Sequence, residues 1–563
     1  MYETARIFMS AAIITRVDAA ALYARAEWLD QYAGTHAEVF DALPLFAVPF
    51  AVKDNIDVAG MPTTAACPEF AYTPKDTAFV VQRLLNAGAI LVGKTNMDQF
   101  ATGLVGTRSP YGVPVNPFDR RYVPGGSSSG SAMAVSRGLV AFALGTDTAG
   151  SGRVPAAFGN IVGLKPTRGV LSTTGTVPAC RSLDCISVFA LNCQDAVAVT
   201  NEMAAYDERD VFARRFVQNC RLGASPFPSR FQHAVPRADQ LRFFGDVAAQ
   251  AQFEQTRLRL DQLGGIAKEI DFAPFLEVAA MLYDGPWVAE RLIAAGALLQ
   301  DRPQVLNPDV RRAIESGRRY QAVDAFSAYY RLRELKRVVN VQLDDVLCLV
   351  VPTAGRPVTL EEVKSKPAEM NAQLGYYTNF VNLLDLAAIS VPAGFLDSGM
   401  PFGVMLIGPA LSESRLCTLG ARLHLAAGVT MGASAHPVPA WNAESTGIDE
   451  QHYIRVSVSG AHMSGLALNK QLTSAGARFL RAVKTAPRYR LYNLDHMVPP
   501  RPGMIRTDDA GVAIDVEVWA VPATEFGRFV AGIPTPLGIG KVELADGEGV
   551  HQRHGVAVGD LLD

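Results

Sequence analysis

Two rhythms of apolar residues alternate along the first 435 positions. Short unbroken apolar runs read as strands buried on both faces: LFAVPFAVK (45–53), AILVGK (89–94), LVAFALGTD (139–147), DVLCLVVPTAG (345–355) and AAISVPAG (387–394). Between them lie segments with helical spacing: DAAALYARAEWLDQYA (18–33), DTAFVVQRLLNAG (76–88) and SAMAVSRG (131–138). Asp76 is placed to cap the second of these at its start and Gly88 at its end. Strands alternating with helices predict an α/β fold, a mixed β-sheet core flanked by helices. The opening MYETARIFMSAAIITRVDAA is less regular than a helical start would be.

The texture changes near residue 436. HPVPAWNAESTGIDEQ (436–451) is polar, proline-containing and aperiodic, which marks a linker. Beyond it YIRVSVSG (453–460), AIDVEVWAV (513–521) and KVELADG (541–547) alternate as half-buried strands do. The expected organisation is a large domain over 1–435, a linker over 436–450 and a small α+β, β-rich domain over 451–563.

Composition narrows the class. The chain has 563 residues, 49% apolar and 19% charged, with a formal net charge of -3. That suits a globular protein with a large core, and the absence of any basic run argues against a nucleic-acid partner. The apolar runs are too short to span a bilayer, and the N-terminus lacks a signal-peptide pattern. The seven cysteines (Cys67, Cys180, Cys185, Cys193, Cys220, Cys348 and Cys417) are odd in number and form no C-x-x-C pair. Free thiols in a reducing cytoplasm are the expectation, without a disulfide framework or a zinc site.

The densest chemistry lies in VPGGSSSGSAMAVSRGLVAFALGTDTAGSGRVPAAFGNIVGLKPTRG (123–169). A Gly/Ser loop leads through a helix and a strand into a second Gly/Ser loop that holds Ser151. A loop at the end of a buried strand is rigidly placed yet open to substrate. Small neighbours (Ala149, Gly150, Gly152) let a carbonyl approach backbone N–H donors. A serine nucleophile needs a base, but the first 423 residues contain only His36 and His233, neither in a special context. Lys53 ends an apolar strand, where burial lowers an amine's pKa. Ser127, in the first loop, can relay a proton between Lys53 and Ser151. GAILVGKT (88–95) matches the pattern of a phosphate-binding loop, but its middle residues, Ala-Ile-Leu-Val, belong to a strand and leave no cradle. Lys94 is therefore expected to be structural or to support the site from behind.

The stretch 123–169, with AVKDNID (51–57) upstream, resembles the amidase signature family over about residues 45–410. The resemblance implies an amidohydrolase acting on linear amides through a Ser-Ser-Lys triad, with no metal or cofactor. Ser151 would be the nucleophile, Ser127 the middle serine with a cis peptide, and Lys53 the base. The backbone N–H groups of Thr148, Ala149, Gly150 and Ser151 would form the oxyanion hole, with Asp147 and Arg153 in support.

For the substrate, LYDGPWVAERL (282–292) sets Tyr283 and Arg291 eight residues apart, on one side of a helix if the segment is helical. Spacing alone favours an exposed arginine paired with a neighbour such as Glu290. The segment, however, resembles one in allophanate hydrolases, where a Tyr and an Arg hold the carboxylate of this small anion. The tail resembles the C-terminal domain of the same enzymes in SGAHMSGLALN (459–469), KTAPRYRLYNL (484–494), IDVEVWAVP (514–522) and FVAGIPTPLGIGKVEL (529–544). These resemblances imply cleavage of allophanate in urea degradation, with urea carboxylase as a partner and a homodimeric state. They also imply a cyclotransferase-like tail linked to further breakdown of the N-carboxylated product. There His462 would be an acid–base group, with Glu517 and Trp519 lining the same cavity. The plainer alternative makes His462 a loop histidine and the tail an oligomer interface. The rival readings are another small-amide amidase, a non-catalytic scaffold and an amidotransferase subunit.

Overall fold

The computed structural model describes residues 11–36, 38–214, 222–223, 227–441, 453–494, 499–507, 509–545 and 549–553. They fall into two compact units, residues 1–218 with 228–441 and residues 219–227 with 442–563. Most of the expected linker, 442–450, and Cys220 lie outside the described residues.

The first unit is built on one eleven-stranded sheet. Its strands are β1 (Ile13–Arg16), β2 (Pro49–Lys53), β3 (Ile90–Thr95), β4 (Phe142–Asp147), β5 (Val162–Lys165), β6 (Cys185–Ala190), β7 (Phe231–Pro236), β8 (Gly265–Ile270), β9 (Leu349–Pro352), β10 (Ala387–Phe395) and β11 (Pro401–Gly408). Their spatial order is β1-β3-β2-β4-β6-β5-β10-β11-β9-β7-β8. β2 runs parallel to both β3 and β4, so the chain ends after β2 and β4 emerge on the same edge of the sheet. β4 then pairs antiparallel with β6, which makes the sheet mixed. Every residue of β4, β6 and β11 is buried, as their continuous apolar runs require.

Element boundaries differ from the sequence pattern where backbone bonds intervene. The run 45–53 becomes a strand only from Pro49, because Val48 N–H turns back to Leu45 O (3.1 Å). The helix expected from Asp76 begins at Phe79, with no side-chain cap. The preceding residues are drawn into loop pairing instead, Ala78 N–H to Asp57 O (3.0 Å). The helix Ser129–Ser136 is buried along its whole length and packs on β2 and β4, which its small Ser, Gly and Ala residues permit.

A large apolar cluster combines β9, β10 and β11 with the helices Ala273–Met281 and Ala322–Leu343. A satellite cluster joins Ala65, Phe100 and Val177 to Ala295, Leu298 and Leu299 of the helix Arg291–Asp301. The six described cysteines are buried free thiols. Among the described residues no helix is long and apolar enough to cross a membrane.

The second unit is β-rich. A five-stranded sheet has β12 (Tyr453–Val458) at its centre, between β16 (Asp515–Pro522) and β18 (Gly549–Arg553), with β13 (Arg478–Lys484) and β17 (Ile539–Glu543) outside them. A separate ribbon pairs β14 (Tyr489–Leu494) with β15 (Arg501–Arg506).

Candidate active site

Lys53 closes β2 and is wholly buried. Its Nζ donates to Ser127 Oγ (2.7 Å) and to Thr146 Oγ1 (2.8 Å). No carboxylate lies within ion-pair distance among the described residues. Taking an ammonium out of water without a partner costs several kcal/mol. Burial accordingly pulls the amine down to about 7, although the more distant Asp98, Asp147 and Asp184 act in the opposite sense. Lys94, at the matching end of β3, is equally buried but compensated: it pairs with Asp54 (3.5 Å) and donates to Pro62 O (3.0 Å) and Thr63 Oγ1 (2.6 Å). It occupies a strand, as expected, and not a phosphate loop.

The Gly126–Ser127 peptide is cis. Asp98, which sequence reasoning missed, holds this loop from behind. Its N–H donates to Ser127 O (3.0 Å), and its carboxylate accepts from Gly106 N–H (2.9 Å) and Arg108 N–H (2.8 Å). A Cβ on Gly126 would fall 2.1 Å from Asp98 Oδ2, so only glycine fits there.

Ser151 lies in the loop that leaves β4, 2% exposed. The loop wraps around Asp147, whose carboxylate accepts from Gly150 N–H (3.1 Å), Gly152 N–H (2.8 Å) and the Arg153 guanidinium (2.7 Å). Burial alone would raise Asp147, but Arg153 holds it below the usual carboxylate range. Gly150 has φ +135°, and a Cβ there would meet Thr378 Oγ1 at 2.5 Å. Thr148 donates through Oγ1 to Asp184, another buried carboxylate absent from the sequence reading. Burial raises Asp184 to about 6, against the pull of Thr148 and the Cys180 and Ala179 amides.

Arg291 is 2% exposed, so the exposed-arginine alternative does not hold. Glu290 instead accepts from Ser182 N–H (2.9 Å). Residues 282–292 are not one helix. A helix ends at Met281, a 3-10 turn covers Pro286–Glu290, and the next helix starts at Arg291. Tyr283 and Arg291 nevertheless meet, with Nη2 donating to the tyrosine hydroxyl (3.4 Å) and the guanidinium 5.2 Å from the ring centre. Nη1 donates to Thr102 Oγ1 (2.8 Å), while Nε has no partner. No carboxylate pairs with Arg291 among the described residues. A cavity of about 510 Å³ opens beside Tyr283, also lined by Arg108, Arg312, Asn371, Tyr376 and Asn379.

The amidase family profile matches residues 9–417, nearly three quarters of the chain. The chain belongs to the amidase family. A second profile, the allophanate hydrolase C-terminal domain, matches residues 454–556 of this amidase. Urea amidolyase of Saccharomyces cerevisiae is 45% identical over 526 residues, which is 90% of this chain and 28% of that relative. The chain thus spans little more than a quarter of that relative's length. Urea amidolyase of Lachancea kluyveri is 44% identical over 90% of this chain and 28% of its own length. Among solved structures, selenomethionine-substituted allophanate hydrolase of Kluyveromyces lactis superposes with a TM-score of 0.78 at 40% identity. That match covers 98% of this chain and 92% of the other.

In the second unit of the amidase, His462 ends a short 3-10 turn after β12 and is 3% exposed. Its Nε2 lies 3.0 Å from Gln471 Oε1. Glu517 accepts from Ser464 N–H (2.8 Å), Ser464 Oγ (3.0 Å) and Trp519 Nε1 (3.1 Å). Trp519 packs into the apolar core of the unit with Val456 and Phe529.

Proposed function

We propose that this chain is an allophanate hydrolase, with an amidase domain over 1–435, a linker over 436–450 and a C-terminal domain over 451–563. The observation that carries the substrate is Arg291, a buried guanidinium with no carboxylate of its own among the described residues. Asp184 and Glu290 favour its charge from beyond bonding distance, but its direct side-chain partners are two hydroxyls, and the flat carboxylate of allophanate suits the guanidinium fork.

The chemistry follows from the Lys53–Ser127 contact. Near neutral pH a substantial fraction of Lys53 is unprotonated. In that form the 2.7 Å contact reverses, Ser127 O–H donating to the amine. Ser127 Oγ then accepts the proton of Ser151, whose oxygen attacks the terminal carbamoyl carbon. The oxyanion falls to the backbone N–H groups of the 148–151 loop. Gly150 N–H is already engaged by Asp147, so Thr148, Ala149 and Ser151 supply the principal donors. The proton held by Lys53 returns through Ser127 to the leaving nitrogen, and ammonia departs. Water attacks the acyl-enzyme by the same relay and releases the N-carboxylated product. A urea carboxylase, whose product is allophanate, is the proposed source of substrate.

Ammonia release from allophanate by the full chain tests this reading. In Arg291→Ala, KM for allophanate is expected to rise about 100-fold, the scale of one charge-assisted pair. Normal allophanate kinetics in that variant would remove the carboxylate anchor, whereas failure of the full chain to release ammonia from allophanate would remove the substrate assignment.

A further inference from the structure

The anchor arginine does not hold itself. Of its two side-chain partners, Tyr283 is distant (3.4 Å) and Thr102 is close (2.8 Å). The Thr102 hydroxyl proton is already committed, since Oγ1 donates to Phe100 O (3.1 Å). Its lone pairs are therefore fixed toward Arg291 Nη1, and the hydroxyl cannot turn to offer a hydrogen to the guanidinium.

This arrangement depends on an uncommon backbone. Phe100 and Ala101 both take left-handed conformations, φ +50° and +52°. A non-glycine residue there is uncommon, and two in succession more so. The turn is locked to a second pair of the same kind, Ala65 (φ +48°) and Ala66 (φ +55°), through Phe100 N–H to Ala65 O (3.0 Å). Phe100 also packs in the apolar cluster that carries the helix Arg291–Asp301. The left-handed turn brings the Phe100 carbonyl back to within reach of the Thr102 hydroxyl.

Thr102 also faces the reacting serines through its backbone. Its carbonyl accepts from Arg108 Nη1 (3.1 Å), and Arg108 N–H donates to Asp98, whose own N–H holds Ser127 O. Gly126 N–H bonds Leu104 O (2.8 Å). Segment 98–108 is thus one hydrogen-bonded piece with Arg291 at one side and the Gly126–Ser127 peptide at the other. We propose that Thr102 is a positioning residue, holding the Arg291 guanidinium in the orientation that binds the carboxylate of the substrate. It touches no reacting atom and acts through Arg291. The inference rests on the allophanate reading and deepens it.

Thr102→Val keeps shape and removes the acceptor, whereas Thr102→Ser keeps the acceptor. In the full chain, Thr102→Val is expected to raise KM for allophanate about tenfold, the worth of one hydrogen bond to a charged group. Its kcat should change far less, and Thr102→Ser should restore KM. Labelling of Ser151 by a neutral phosphonylating reagent, which carries no carboxylate, should proceed at the wild-type rate in both variants. An unchanged KM in Thr102→Val overturns the proposal. So does equal loss of allophanate turnover and of neutral labelling, which marks general damage to the site, or a failure of Thr102→Ser to rescue. If the wild-type chain labels at Ser151 but releases no ammonia from allophanate, the functional reading itself falls, a result distinct from the others.

Discussion

Both units bury polar side chains, but they complete them differently. In the second, Glu517 is buried yet accepts three hydrogen bonds from Ser464 and Trp519, and His462 rests against Gln471. In the first, Lys53 meets only two hydroxyls, and Arg291 meets two hydroxyls with its Nε unpaired. Buried charge without an opposite charge is costly, and a fold keeps it where something else completes it. In the proposed mechanism the cations of the first unit are finished by a proton acceptor and a substrate anion, whereas Glu517 of the second is finished by its own chain, although Ser457, Ser459 and Arg501 there keep buried atoms without a partner among the described residues. The amide cleavage proposed above draws on groups of the first unit.

The contrast breaks most visibly at the nucleophile. Ser151→Ala should lower kcat for ammonia release by about 10⁴-fold or more. Lys53→Ala should cost about 10³-fold, with the double substitution no worse than Ser151→Ala alone, because groups that act as one relay are not additive. Independent, multiplying losses in steady-state rates would break the relay. The next effect is pH dependence. An amine base works only unprotonated, so with Lys53 lowered to about 7, kcat/KM should climb as pH rises through about 7 and level off above it. A pH–rate profile that is flat from about pH 6 to 8 would contradict the lowered amine. The smallest effect is expected in the second unit. His462→Ala should leave initial rates of ammonia release within about twofold of wild type, the scatter of changes remote from a site. A large loss there would erase the division of labour.

The candidate triad was named from the stretch 123–169 and from Lys53 upstream of it, and the structure sets Lys53 Nζ 2.7 Å from Ser127 Oγ. Two Gly/Ser loops bracket a strand, and the shortage of histidine leaves a lysine as base. Strand context separated the Lys94 segment from a phosphate loop, whereas what sets Lys94 apart from Lys53, its Asp54 partner, shows only in the structure. Arg291 was not legible from spacing. Periodicity counts helical faces, and the chain between Tyr283 and Arg291 breaks into a turn that no period describes. Asp98, Thr102 and Asp184 escaped because each acts through a partner far along the chain: Asp98 through Ser127, Thr102 through Arg291, and Asp184 through Thr148. The four candidate oxyanion donors at 148–151 came from the resemblance, which did not foretell that Asp147 engages the Gly150 N–H. In the helix expected at Asp76, local capping preference lost to backbone pairing with residues distant in sequence.

The placement of Arg291 bears on how new specificities arise in such proteins. Lys53 ends β2 and Ser151 lies in the loop that leaves β4, neighbouring parallel strands of the large sheet. Arg291 instead opens a helix held by a small satellite cluster. Phe100 of that cluster also belongs to the segment that holds the Gly126–Ser127 peptide, so a mutation there reaches the proposed anchor and the serine loop together, and a new specificity has to be found without disturbing that shared segment.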